Sequence, residues 1–169
     1  MIAAGSHGRN AATPDGRVIV DLPDETATAA LAGRLAPLLR TGDIVALRGD
    51  LGAGKTSLAR AVVHALGNPA EAVPSPTFTL VQTYALPAFD LWHFDLYRLE
   101  SAEDAFELDI EEAFAGGVSL IEWPDRLGGW LPEIRLDIEL HFSDDGESRW
   151  AILAGRGDWP ARLAPLRDD

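Results

Sequence analysis

Cysteine is absent from this 169-residue chain, which excludes disulfides and thiolate metal sites and fits a reducing compartment. Lysine is nearly absent too: Lys55 is the only one, and every other Lys or Arg position is arginine. Basic residues are scarce against acidic ones, 14 against 27, for a formal net charge of -13. That balance excludes a broad nucleic-acid-binding surface, so any role on nucleic acid has to run through a partner protein. No apolar run approaches the roughly 20 residues of a membrane-spanning helix, and the N-terminus lacks a signal-peptide core. A cytoplasmic protein with no membrane contact is expected. Only two asparagines occur, Asn10 and Asn68, and neither begins the Asn-Lys-x-Asp guanine reader. Asp125-Arg126-Leu127-Gly128 therefore mimics a GTPase switch without being one.

The sole lysine sits in Gly49-Asp50-Leu51-Gly52-Ala53-Gly54-Lys55-Thr56, a glycine, four residues, then Gly-Lys-Thr. This is the phosphate-binding loop pattern, and its residue types follow from the chemistry. Gly52 and Gly54 can take backbone angles closed to other residues, so that consecutive N–H groups turn inward around phosphate oxygens at a helix start. Lys55 supplies a point charge for the outer phosphates, and the Thr56 hydroxyl suits the oxygen shell of a magnesium ion. The flanks agree: 43–48 is an apolar strand and 55–66 a helix, the order strand, glycine loop, helix that the motif requires.

With 47% hydrophobic and 24% charged residues, the chain is expected to form one domain, spanning 17–156. A small, polar extension, 1–16, is expected to be disordered, and 157–169 reads as a C-terminal tail. Within the domain, 17–22 predicts a strand, and Asp24 caps a helix with Ala27, Leu31, Leu35 and Leu38 on one face. After the helix that follows the glycine loop, 75–84 and 91–99 predict two strands joined by a turn near Pro87, pairing as a hairpin. From Glu100 to Glu112 there are seven acidic and no basic residues, predicting one or two short acidic helices whose bland reading is a solvated face. Residues 118–123 form an apolar strand ending in Glu122, which fits the carboxylate that a second strand delivers to the magnesium shell. Residues 134–142 alternate as a half-buried antiparallel strand that pairs back with 150–153. His93, between Trp92 and Phe94, reads as a packed or hydrogen-bonded structural residue. Trp123 either covers the site or simply packs.

Four motifs in order, the glycine loop, Ser75-Pro-Thr-Phe-Thr-Leu-Val, His93-Phe-Asp-Leu-Tyr-Arg-Leu and Ile121-Glu-Trp-Pro, resemble the TsaE (YjeE) family over roughly Val18 to Leu153. The resemblance implies an α/β, P-loop NTPase-like three-layer sandwich, with a central mostly parallel sheet and antiparallel hairpin additions. It implies an ATPase, binding ATP or ADP with Mg2+, that supports threonylcarbamoyl modification of adenosine in tRNA by acting on the TsaB–TsaD assembly. It makes Gly52, Ala53, Gly54, Lys55, Thr56 and Ser57 the phosphate cradle, and Thr56 and Glu122 the magnesium ligands. Asp95, Lys55 and Thr77 become the catalytic candidates, with 75–79 a switch-like loop. Glu25 is placed near adenine and Arg149 near the nucleotide. Asp109 stands where the family often has glycine, so a different turn is expected there. Two alternatives remain at this point: a small P-loop kinase, although no arginine-rich lid is visible, and a nucleotide-gated docking module using the acidic segment.

Overall fold

The apolar run at 44–47 and the near-continuous one at 118–121, broken only by Ser119, demand strands covered on both faces, whereas the alternation at 136–141 demands one covered face. The computed structural model of the chain describes residues 11–67 and 79–167. Its elements are β1 (Ala11–Ala12), β2 (Val18–Leu22), α1 (Glu25–Leu35), β3 (Ile44–Arg48), α2 (Lys55–Leu66), β4 (Val81–Ala85), β5 (Asp90–Asp95), α3 (Ile110–Gly116), β6 (Gly117–Glu122), β7 (Leu136–Phe142), β8 (Arg149–Gly155) and α4 (Trp159–Arg162). Turns of 3-10 helix occupy Ala36–Leu38, Ala102–Leu108, Pro124–Trp130 and Ala164–Leu166.

One sheet runs in the order β1-β2-β8-β7-β3-β6-β5-β4. Its centre, β7-β3-β6-β5, is parallel. The additions are antiparallel: β4 hairpins onto β5, and β8, β2 and β1 extend the opposite edge. Every residue of β6 is buried, as a central parallel strand requires. Val45, Leu47, Val118 and Leu120 pack on one face beneath Leu31, Leu35, Leu58 and Val62 of α1 and α2. Ile44, Phe94 and Ile121 pack on the other, beneath Ala105, Ile110, Ala113 and Leu127. Three layers result, and each fully buried leucine contributes about 1.5–3 kcal/mol. Asp24 caps α1 as expected, accepting from the Ala27 N–H at 2.9 Å, worth about 1 kcal/mol. Among the described residues no helix is long and apolar enough to cross a membrane.

Four expectations change. β7 is antiparallel to β8 but parallel to β3, because alternation reports a half-covered face and not the direction of a neighbour; Ile134 lies outside it, 61% exposed. Part of the 1–16 extension is ordered, since Ala11–Ala12 pairs with β2. The 157–169 segment is no loose tail: Trp159, Leu163 and Leu166 are each at most 1% exposed and join the α1–α2 core. Asp109 makes the left-handed turn that glycine would, with φ 58 and ψ 34 between the 3-10 turn and α3, so the chain keeps that turn at a small conformational cost.

Candidate functional site

β3, β6 and β5 lie side by side and parallel, so all three carboxyl ends reach the same edge of the sheet. β3 delivers the glycine loop there. β6 ends on Glu122 and β5 on Asp95, and the register sets Glu122 beside both Leu47 and Asp95. Gly54 is the N-cap of α2 at φ 105 and ψ 16, with no side-chain cap, which leaves the first-turn N–H groups for an anion. At Gly49 a Cβ would come within 2.7 Å of the Leu140 carbonyl oxygen, so a side chain there would push the loop off β7.

A cleft of about 240 Å³ opens at this edge, lined by Leu51, Gly52, Gly54, Lys55, Thr56, Ser57, Asp95, Tyr97, Glu122 and Trp123. Lys55 is only 5% exposed. Its Nζ donates to the carbonyls of Gly49 at 2.5 Å and Asp50 at 3.0 Å and lies 4.1 Å from the centre of the Trp123 ring. Burial pushes the Lys55 ammonium below its ordinary pKa, against the pull of the Glu122, Asp95 and Asp50 carboxylates. Thr56 Oγ1 donates to the Glu122 carboxylate, 2.8 Å from Oε1 and 3.0 Å from Oε2. Asp95 Oδ1 accepts from the Tyr97 N–H at 3.1 Å.

Of the residues singled out in the sequence, Gly52, Gly54, Lys55, Thr56, Ser57, Asp95 and Glu122 share the cleft. Ala53 lies behind the loop in the core. Arg149 reaches the loop from β8, donating from Nη2 to the Gly52 carbonyl at 3.2 Å, with its guanidinium 4.2 Å from the Phe142 ring. Glu25 stands exposed in the first turn of α1, apart from the residues that line the cleft. Thr77, with the rest of 75–78, falls outside the described residues. Two neighbours had weaker sequence signals. Trp123, in a left-handed conformation at φ 59, turns its indole over Lys55 and packs on Tyr97. His93 Nε2 lies 2.6 Å from Glu122 Oε2, and strand alternation could have placed it, since 91, 93 and 95 share a face of β5.

Thr56 and Glu122 offer an all-oxygen donor pair, the kind a hard divalent cation prefers. Among the described residues no group of three or more His, Cys, Asp or Glu could hold a metal. A donor set this small fits magnesium, which keeps waters and phosphate oxygens in its shell, better than an all-protein cage.

Strand, glycine loop and helix, with carboxylates on neighbouring parallel strands, define a P-loop NTPase-like α/β protein. The comparisons narrow the class. The family model described as "Threonylcarbamoyl adenosine biosynthesis protein TsaE" matches residues 22–150. The TsaE protein of Rickettsia bellii is 40% identical over 124 residues, covering 73% of this chain and 86% of the relative. That of Bacillus subtilis is 38% identical over 133 residues, covering 78% and 81%. The crystal structure of Bacillus subtilis YdiB superposes with a TM-score of 0.71 at 26% identity, covering 89% of this chain and 93% of that one. This chain belongs to the TsaE family.

Proposed function

We propose that this protein is a magnesium-dependent ATPase of tRNA threonylcarbamoyladenosine biosynthesis, acting on the TsaB–TsaD assembly and reaching tRNA only through it. The observation that carries the reading is the convergence of Lys55, Thr56, Glu122 and Asp95 on one cleft at the carboxyl ends of three adjacent parallel strands. The biosynthetic role follows from the names of the relatives, and the partners from the resemblance of the motifs.

In this reading the N–H groups at the start of α2 and Lys55 Nζ bind the outer phosphates. Lys55 then exchanges its bonds to the neutral Gly49 and Asp50 carbonyls for bonds to anionic phosphate oxygens, in which both partners are charged. Thr56 and Glu122 hold the magnesium ion, which supplies neutralisation of the phosphate charge. Asp95, fixed by the Tyr97 N–H, orients a water in line with the terminal phosphorus and receives or directs its proton as the bond to ADP breaks. Trp123 over Lys55 keeps bulk water from the charge pair, which strengthens it. The low basic content fits a protein that meets tRNA through others.

The test is reconstitution. ATP hydrolysis by the purified protein is expected to be slow and to rise with TsaB and TsaD, and the three together should support repeated cycles of modification. Failure to associate in the presence of ATP, together with no effect on cycling, would refute the reading. Phosphate appearing on an added acceptor instead of in solution would favour a kinase.

A further inference from the structure

His93 is completely buried, and the proposed chemistry does not use it. It sits on β5 opposite Leu120 of β6, with Asp95 opposite Glu122 one step further along. Alternation therefore turns His93, Asp95 and Glu122 toward the same layer, the one that holds α2. From there Nε2 reaches Glu122 Oε2 at 2.6 Å, while Nδ1 is buried with no partner among the described residues. A bare Nε2 lone pair this close to a carboxylate oxygen would be repelled. The ring proton therefore belongs on Nε2, as a donor, and the unpartnered Nδ1 offers no competing place for it. Glu122, itself 3% exposed, is thus held from two sides. Oε2 accepts from His93 and also lies 3.0 Å from Thr56 Oγ1, whereas among the described residues Oε1 has a hydrogen bond to Thr56 alone, at 2.8 Å.

We propose that His93 is the positioning residue of the metal site: by donating from Nε2 to Oε2 it fixes the rotation of the Glu122 carboxylate and leaves Oε1, beside the Thr56 hydroxyl, as the oxygen presented to a divalent cation. A carboxylate buried against only a hydroxyl could rotate about its Cγ–Cδ bond, and neither oxygen would then be held facing a cation beside Thr56. The inference rests on the proposed magnesium site and adds a residue to it. Hydrogen bonds behind a metal ligand are typically worth about 10–100-fold in metal affinity.

The test separates metal from nucleotide. ADP binding is measured calorimetrically on the full chain with excess EDTA and across a magnesium titration, for wild type, His93→Phe and His93→Gln. Phenylalanine keeps the ring volume and removes the donor. Glutamine keeps an N–H near the position of Nε2. In His93→Phe the magnesium concentration for half-maximal effect should rise about tenfold or more while metal-free ADP affinity, which also reports folding, stays within about threefold. His93→Gln should recover most of the loss. A purely structural role would lower both affinities together, and that result, or an unchanged magnesium response in His93→Phe, would overturn the inference while leaving the site reading intact. Magnesium-independent binding in wild type would overturn the metal site itself and the inference with it. A second readout needs no variant: nitrogen-15 spectra of the wild-type imidazole should show the proton on Nε2, and a ring protonated only on Nδ1 would equally overturn the proposal.

Discussion

Two buried charge clusters in this molecule look alike by burial and differ in what they leave open. At the amino end of β3, Arg162 of α4 forks onto both oxygens of Asp43, 2.9 Å from Oδ1 and 2.5 Å from Oδ2, and bonds the Leu38 carbonyl. Its guanidinium stacks 3.7 Å from the centre of the Trp159 ring. Hydrogen bonds to Asp43, together with its charge and that of Asp158, raise the Arg162 pKa, so this cluster favours its charged form. At the parallel edge, burial lowers the Lys55 pKa, so the folded chain disfavours the charge there. Arg162 is held by partners that the fold supplies, whereas Lys55 borders an open cleft beside three carboxylates. Burial of charge alone thus marks no site; a charge held at a cost beside a cleft does.

Four substitutions would break or sharpen this contrast. The largest effect is expected from Asp95→Asn, which should lower ATP turnover by about 100-fold or more while leaving ADP affinity within about threefold; single-turnover phosphate release measures the first and calorimetry the second. Arg162→Ala should cost roughly 3 kcal/mol in chemical denaturation, because it leaves Asp43 buried without its partner, yet leave nucleotide affinity of the folded fraction unchanged. Lys55→Ala should do the converse, weakening ADP binding about 10- to 100-fold with stability unchanged or raised, since the ammonium it removes is disfavoured by burial. A large loss of stability in Lys55→Ala would erase the contrast between the two clusters. The smallest effect belongs to Asp109→Gly, which relieves the left-handed strain and should raise stability by about 0.5 kcal/mol, read as a shift in the denaturation midpoint.

The legible part of the site was the part built from neighbours in sequence. The glycine loop, Lys55 and Thr56 lie within one turn of chain, where residue type and backbone angle determine geometry directly. Glu122 was legible for a different reason: an acid ending an apolar strand has few places to go in an open parallel sheet. Asp95 depended on the family motif, because an acid at the end of a β-rich run has no local signature. The docking of α4 and the 3-10 turn after it was hidden because the apolar residues Trp159, Leu163 and Leu166 stand among proline, arginine and aspartate, and only their contact with the α1–α2 core shows that they are needed. The direction of β7 was hidden because alternation is the same in parallel and antiparallel strands.

What the sequence by itself determined is the loop, its lysine, the capped first helix and the family, since each rests on contacts a few residues apart or on motifs kept in order. What only the tertiary structure decided is which side chains meet. The register of β5 on β6 sets Asp95 beside Glu122, brings His93 to the same carboxylate, and the turn at Trp123 lays an indole over Lys55. Alternation within β5 puts His93 and Asp95 on one face, but which residues of β6 they meet is set by the register, and a shift of one residue would turn both away from Glu122.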